Sequence, residues 1–167
     1  IAWSERQTAG KTIFGGQTVT PLAPEERRSL AARLMPAIRG LIGKDSLKLG
    51  HFDDSAAVLE FVSSKSLRPL ATLGTSCPDH FLRTKIKPLY VNWDPQNEDV
   101  AALKQKLSAG LEQYRKDYAH YYEQHKHADS PAMRDPNPTV ILIPGLGMIA
   151  WGKDKSESRV TAEFYNC

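Results

Sequence analysis

The stretch "VILIPGLGMIAWG", residues 140–152, limits the fold of this chain more than any other. Two short apolar runs flank Pro144, Gly145, Leu146 and Gly147. Each run is too short for a helix and is bounded by turn residues, so the spacing predicts strands over 139–143 and 147–151. The short step between them allows them to be antiparallel neighbours.

Helical periodicity marks the other elements. "PEERRSLAARLMPAIRGLIGK" places Leu30, Leu34, Ile38 and Leu41 on one side, with Pro24 and two glutamates in its first turn. Pro36 should kink or split this helix. In residues 97–128, Val100, Leu103, Leu107, Leu111, Tyr114, Tyr118 and Tyr121 step by three or four, which predicts a long amphipathic helix. Its tyrosines pack on their rings and keep their hydroxyls near water. "DDSAAVLEFVSSK" and "SCPDHFLRTK" read as short helices, and a last helix starts near Lys155. "SLKLGHF", "RPLATLGT" and "KPLYVNWDP" read as extended, and "ADSPAMRDPNP" as an exposed connector. The class is α/β: a three-layer arrangement of a mixed sheet with flanking helices. Residues 1–22 read as the end of a preceding domain or a linker, and residues 23–167 as a single domain. The absent initiator Met and the uncapped last helix suggest a piece of a longer protein.

Net charge is +3 with mixed signs, and the basic segment "HFLRTKIKPLY" holds only Arg83, Lys85 and Lys87, a small footprint for nucleic acid. No apolar run approaches the roughly 20 residues of a membrane span. Cys77 and Cys167 are isolated, which suits free thiols in the cytoplasm. A catalytic role for Cys77 beside His80 is the less favoured reading. The histidines of "HKH", His125 and His127, suit the negative end of a helix better than a metal, and His51 and His120 read as structural. The pair Tyr122 and Lys126 has dehydrogenase-like spacing but lies on the long helix away from any glycine loop.

The polar run of residues 75–85 is the candidate site. Thr75, Ser76, Arg83 and Lys85 would bind a phosphate, and Asp79 and His80 would serve as acid and base. The competing reading is a capped helix whose charges face water. The glycines at 145 and 147 do not make a dinucleotide loop, because a strand follows where a helix is required and position 150 is Ala.

"ILIPGLGMIAWGKDKSESRVTAEFY" resembles the closing segment of class II aldolases of the adducin-like family, in which an Asn-His-Gly tripeptide carries a zinc ligand. Here Gly145, Leu146 and Gly147 stand in its place, so the metal histidine is missing, while Trp151 and Gly152 are kept. With "TLGTSCPDHFLRTKIKPLYVNWDP" added, the resemblance covers most of residues 10–167 and extends to the central region of bifunctional rhamnulose-1-phosphate aldolase/alcohol dehydrogenases. It implies a degenerate class II aldolase-like half, without metal or catalytic residues of its own, inside an enzyme of deoxy-sugar breakdown. The parent would carry zinc in its aldolase half and NAD in its short-chain dehydrogenase half. Partners would be the neighbouring aldolase and dehydrogenase domains and a second copy in a homo-oligomer, with no nucleic acid and no membrane.

Overall fold

The structure is a computed structural model, and it describes residues 9, 10, 13–44, 46–75 and 77–167. In chain order the elements are α1 (Pro24–Ile42), β1 (Leu49–Asp53), α2 (Ala56–Val62), α3 (Leu67–Leu73), α4 (Pro78–Thr84), β2 (Leu89–Tyr90), α5 (Val100–His125), β3 (Val140–Ile143), β4 (Gly147–Gly152) and α6 (Lys155–Asn166). The strands form one mixed sheet in the order β1-β4-β3-β2. β4 runs antiparallel to both β1 and β3, and β2 joins β3 in parallel after the α5 crossover.

The predicted hairpin is the centre of the molecule. Every residue of β3 and β4 is buried. Side chains alternate across a strand, so the hairpin feeds two cores. Ile141, Ile143, Ile149 and Trp151 meet Leu30, Leu34 and Ile38 of α1 and Leu103, Leu107 and Leu111 of α5. Val140, Leu142, Met148 and Ala150 meet Val58 and Val62 of α2, Leu67 and Ala71 of α3 and Ala162 of α6. The three-layer α/β reading holds, and the sheet is mixed.

Local chemistry fixes the element ends. Asp99 caps α5 by accepting from the Ala102 N–H at 2.8 Å. Asp154 and Glu157 form a reciprocal cap on α6: Asp154 accepts from Glu157 N at 2.8 Å and Glu157 accepts from Lys153 N at 2.6 Å. α1 runs through Pro36 without splitting.

One predicted strand is a helix. "RPLATLGT" supplies α3, whose buried residues Leu67 and Ala71 are one helical turn apart. Pro69 sits in the first turn, where its missing N–H breaks no helical bond. Residues 13–22 also lie against the domain. Thr18 N donates to Ser63 O at 2.8 Å and Leu22 N to Gly145 O at 2.9 Å.

The hairpin turn requires its glycines. Gly147 has φ +139°, and a Cβ there would stand 2.6 Å from the Asp53 carbonyl oxygen. Gly40, in α1, has nothing within 4 Å of its Cβ position. Gly147→Ala is expected to destabilise the chain by about 2–3 kcal/mol through strain and the close contact. Gly40→Ala is expected to stabilise it by up to ~1 kcal/mol through helix propensity. Urea unfolding of the two variants checks both signs.

Candidate functional site

The structure divides the candidate cluster. α4 stands between two clefts, and the predicted residues fall on different sides of it. Thr75 and His80 line a cavity of about 320 Å³ against α2 and α6. Arg83 and Lys85 line a larger cleft of about 790 Å³ at the end of the sheet, with Lys48, Arg134, Asp135 and Trp151. Ser76 lies outside the described residues. Asp79 is exposed in the first turn of α4 and Arg83 is exposed in its last.

His80 is half-buried and packs edge-on against Phe164, with ring centroids 5.4 Å apart. Its backbone carbonyl accepts from the buried Thr84 hydroxyl at 3.0 Å. His80 therefore helps to seat α4 on α6. The intended acid/base pair and the phosphate ligands do not converge on one point.

Lys85 has the most constrained environment of the group. It ends α4 with φ +62°, and its backbone N–H returns to Phe81 O at 3.0 Å. Its ammonium donates to the carbonyls of Asp135 and Asn137 and lies 4.3 Å from the centre of the Tyr118 ring. Burial lowers its pKa to about 8, assisted by the charges of Lys48 and Arg134 and opposed by Asp135. Burial also works against ionisation of Asp135, but the Lys48 ammonium at 2.5 Å and the Asn137 N–H hold that carboxyl below its usual range.

Sequence reasoning passed over residues 131–138 as a plain connector. In the structure, Asn137 is a hub there. Its N–H donates to Asp135 Oδ1 at 2.9 Å, its amide donates to Ile42 O at 3.2 Å, and its Oδ1 accepts from Arg115 Nε at 2.8 Å. The Asp-Pro-Asn run was the available signal, because Asp two residues before Asn commonly closes an Asx turn.

The aldolase-like hairpin tip does not fit a zinc ion. Leu146 is fully buried in the α1/α5 core and offers no lone pair. Gly145, with φ +70°, lies against Pro95. β4 follows directly, so no helix N-terminus meets these glycines and the dinucleotide fingerprint is not formed. His51 is half-buried on β1 opposite Ala150. His125 points Nδ1 at Tyr121 O, 2.8 Å away, and stacks on that ring. Lys126 pairs with Glu123 at 2.7 Å on the surface. Among the described residues no helix is long and apolar enough to cross a membrane.

Lys85 gives the site a pH signature. Between pH 8 and its unfolded value near 10.5, the folded chain binds fewer protons at this position than the unfolded chain. Its contribution to stability therefore rises with pH over that window. Denaturant unfolding at pH 8, 9 and 10 is expected to show this rise, and Lys85→Gln to remove it.

Comparison with known proteins agrees with this architecture. Residues 29–167 match the family described as the second domain of class II aldolases. The chain is also 36% identical over 153 residues to the uncharacterized oxidoreductase YuxG of Bacillus subtilis (strain 168). That alignment covers 92% of this chain and 22% of the relative, so the chain spans about a fifth of its length. No solved structure matches. With the family match running from α1 to the end of α6 over a hairpin-centred sheet, the chain belongs to the class II aldolase second-domain family.

Proposed function

We propose that this chain is a noncatalytic domain of a bifunctional sugar-catabolic enzyme, of the rhamnulose-1-phosphate aldolase/lactaldehyde dehydrogenase type. It connects and orients the catalytic domains of the same polypeptide. The observation that carries this reading is Leu146. Where the resembling aldolases place a metal-binding histidine, this chain has a side chain with no exposure, packed between α1 and α5. A ligand position turned into a core position contributes to folding and not to carbon–carbon cleavage.

The relative's name and length support the reading. An oxidoreductase several times longer than this chain has room for the dehydrogenase half. Zinc and NAD then belong to the catalytic parts of the parent, which works in the cytoplasm as a homo-oligomer. Outward apolar side chains suit contact with neighbouring domains. Leu73 on α3 is 77% exposed and Tyr121 on α5 is 38% exposed.

Two measurements test this. The 167-residue chain, supplied with zinc and NAD, is expected to show neither cleavage of rhamnulose 1-phosphate nor oxidation of lactaldehyde. Turnover of either would overturn the noncatalytic reading. In the full-length enzyme, Leu73→Asp is expected to speed proteolytic release of this domain, while shifting the isolated chain's stability by no more than about 0.5 kcal/mol. An unchanged digestion pattern would count against a connecting role for this surface.

A further inference from the structure

Residues 131–138 form no helix or strand, and a lysine at the end of α4 holds them. Lys85 donates from its amino group to the carbonyls of Asp135 and Asn137, with the Tyr118 ring centre 4.3 Å from the nitrogen. Separate ties flank this one. The Tyr122 hydroxyl donates to Pro131 O at 2.7 Å, and the Asn137 amide donates to Ile42 O at 3.2 Å. Between those ties, Met133 and Arg134 are exposed.

The side chain that fastens this loop also lines an open cleft of about 790 Å³. Its surroundings favour the neutral amine. Burial lowers its pKa to about 8, Lys48 and Arg134 assist, and Asp135 opposes. The face of α5 beneath it is the uncharged Tyr118 ring, and Arg83, Lys153 and Glu157 line the same cleft. At pH 7 such a group is about one-tenth free amine, against roughly a few ten-thousandths for an ordinary lysine. A lysine brought to this state by burial and neighbouring cations is a nucleophile near neutral pH. An ammonium has three N–H donors, and the free amine keeps two together with a lone pair. Two donors still serve both carbonyls. Deprotonation therefore arms the nitrogen and leaves the loop fastened.

We propose that Lys85 is a site of N-acylation by small acyl thioesters, and that the acyl group unfastens residues 132–136 from the end of α4. The nitrogen lone pair attacks the thioester carbonyl carbon and the C–S bond breaks. The sulfur leaves with the bonding pair and takes up the proton that the nitrogen gives up, so the products are an amide and a thiol. The amide has one N–H and no charge. It serves at most one of the two carbonyls and loses the attraction of an ammonium to the Tyr118 ring.

The effect is confined to the loop. The Tyr122–Pro131 and Asn137–Ile42 bonds do not involve Lys85, so both ends of the segment stay attached when its middle is released. The sheet and its two cores take no part. The proposal goes beyond the connecting role and stands without it.

Competitive labelling of the 167-residue chain with S-acetyl-N-acetylcysteamine, mapped by mass spectrometry, tests the reactivity. At pH 7 Lys85 is expected to acetylate at least about fivefold faster than the median exposed lysine. That ratio is expected to shrink as the pH is raised to 10, because the other lysines gain free amine while Lys85 is already deprotonated. A lysine that is merely accessible keeps a constant ratio. An arginine-specific protease, blind to lysine acetylation, reads the loop. Chain acetylated at Lys85 is expected to be cut after Arg134 at least about threefold faster than unmodified chain. Lys85→Gln is expected to reproduce the faster cut, and Lys85→Arg, which keeps the charge and the donors, to leave it slow. Labelling of Lys85 no faster than that of the exposed lysines, or cleavage after Arg134 unchanged by acetylation at Lys85, would overturn the proposal. Both of those readings use the unsubstituted chain, so they hold even where a variant does not fold.

Discussion

The pairing of β3 with β4 is the interaction on which the other elements depend. Four residue pairs, from Val140 with Ala150 to Ile143 with Gly147, fix the register. A slip of β4 by one residue would send Ile149 and Trp151 into the core built for Met148 and Ala150, and the reverse. The two cores differ in size. The α1/α5 side takes the large residues Ile, Leu and Trp, while the α2/α3/α6 side takes Ala71, Ala150 and Ala162. The sequence pattern of the hairpin thus sets the helix distances on both faces. Leu142, with no exposed surface, is one of the residues that transmit this constraint, and truncating such a side chain typically costs about 2–5 kcal/mol.

The second constraint is the tie between α4 and residues 131–138. A lysine ammonium holding two carbonyls over an aromatic ring orders a loop that has no regular structure of its own. Asn137 then carries that order to the end of α1 and the middle of α5, through Ile42 and Arg115. The loop is polar in composition and fixed by its partners. Sequence-level reading sees the first property and not the second, because each partner lies far along the chain.

The same distinction separates what was legible from what was not. The hairpin, α1, α5 and α6 follow from periodicity and end signals, since burial on one face is a local pattern. α3 was misread because "RPLATLGT" is short, apolar and proline-containing. In such a segment the choice between helix and strand depends on the surface it meets. That surface is Leu142 and its neighbours, and the one-turn spacing of Leu67 and Ala71 is what fits it. The candidate site was half legible. Arg83 and Lys85 do face a charged cleft, but Lys48, Arg134 and Trp151 join it only through the sheet order. Thr75 and His80, adjacent in sequence to that pair, were carried by α4 to the opposite side.

Leu146 shows how a hairpin tip can be bound into a core. A turn that presents a metal ligand must hold a polar side chain at its tip, which the core gains nothing from burying. In this chain the tip residue turns inward: Leu146 N donates to Ile143 O at 3.1 Å and its side chain joins Leu30, Leu103 and Trp93 in one cluster. Leu22 N in turn caps the Gly145 carbonyl. With the tip bound into the core on both sides, a histidine at position 146 would bury an imidazole without a partner. It would lose the packing of a leucine as well. The better the tip packs, the less any single change at position 146 can build a metal site there.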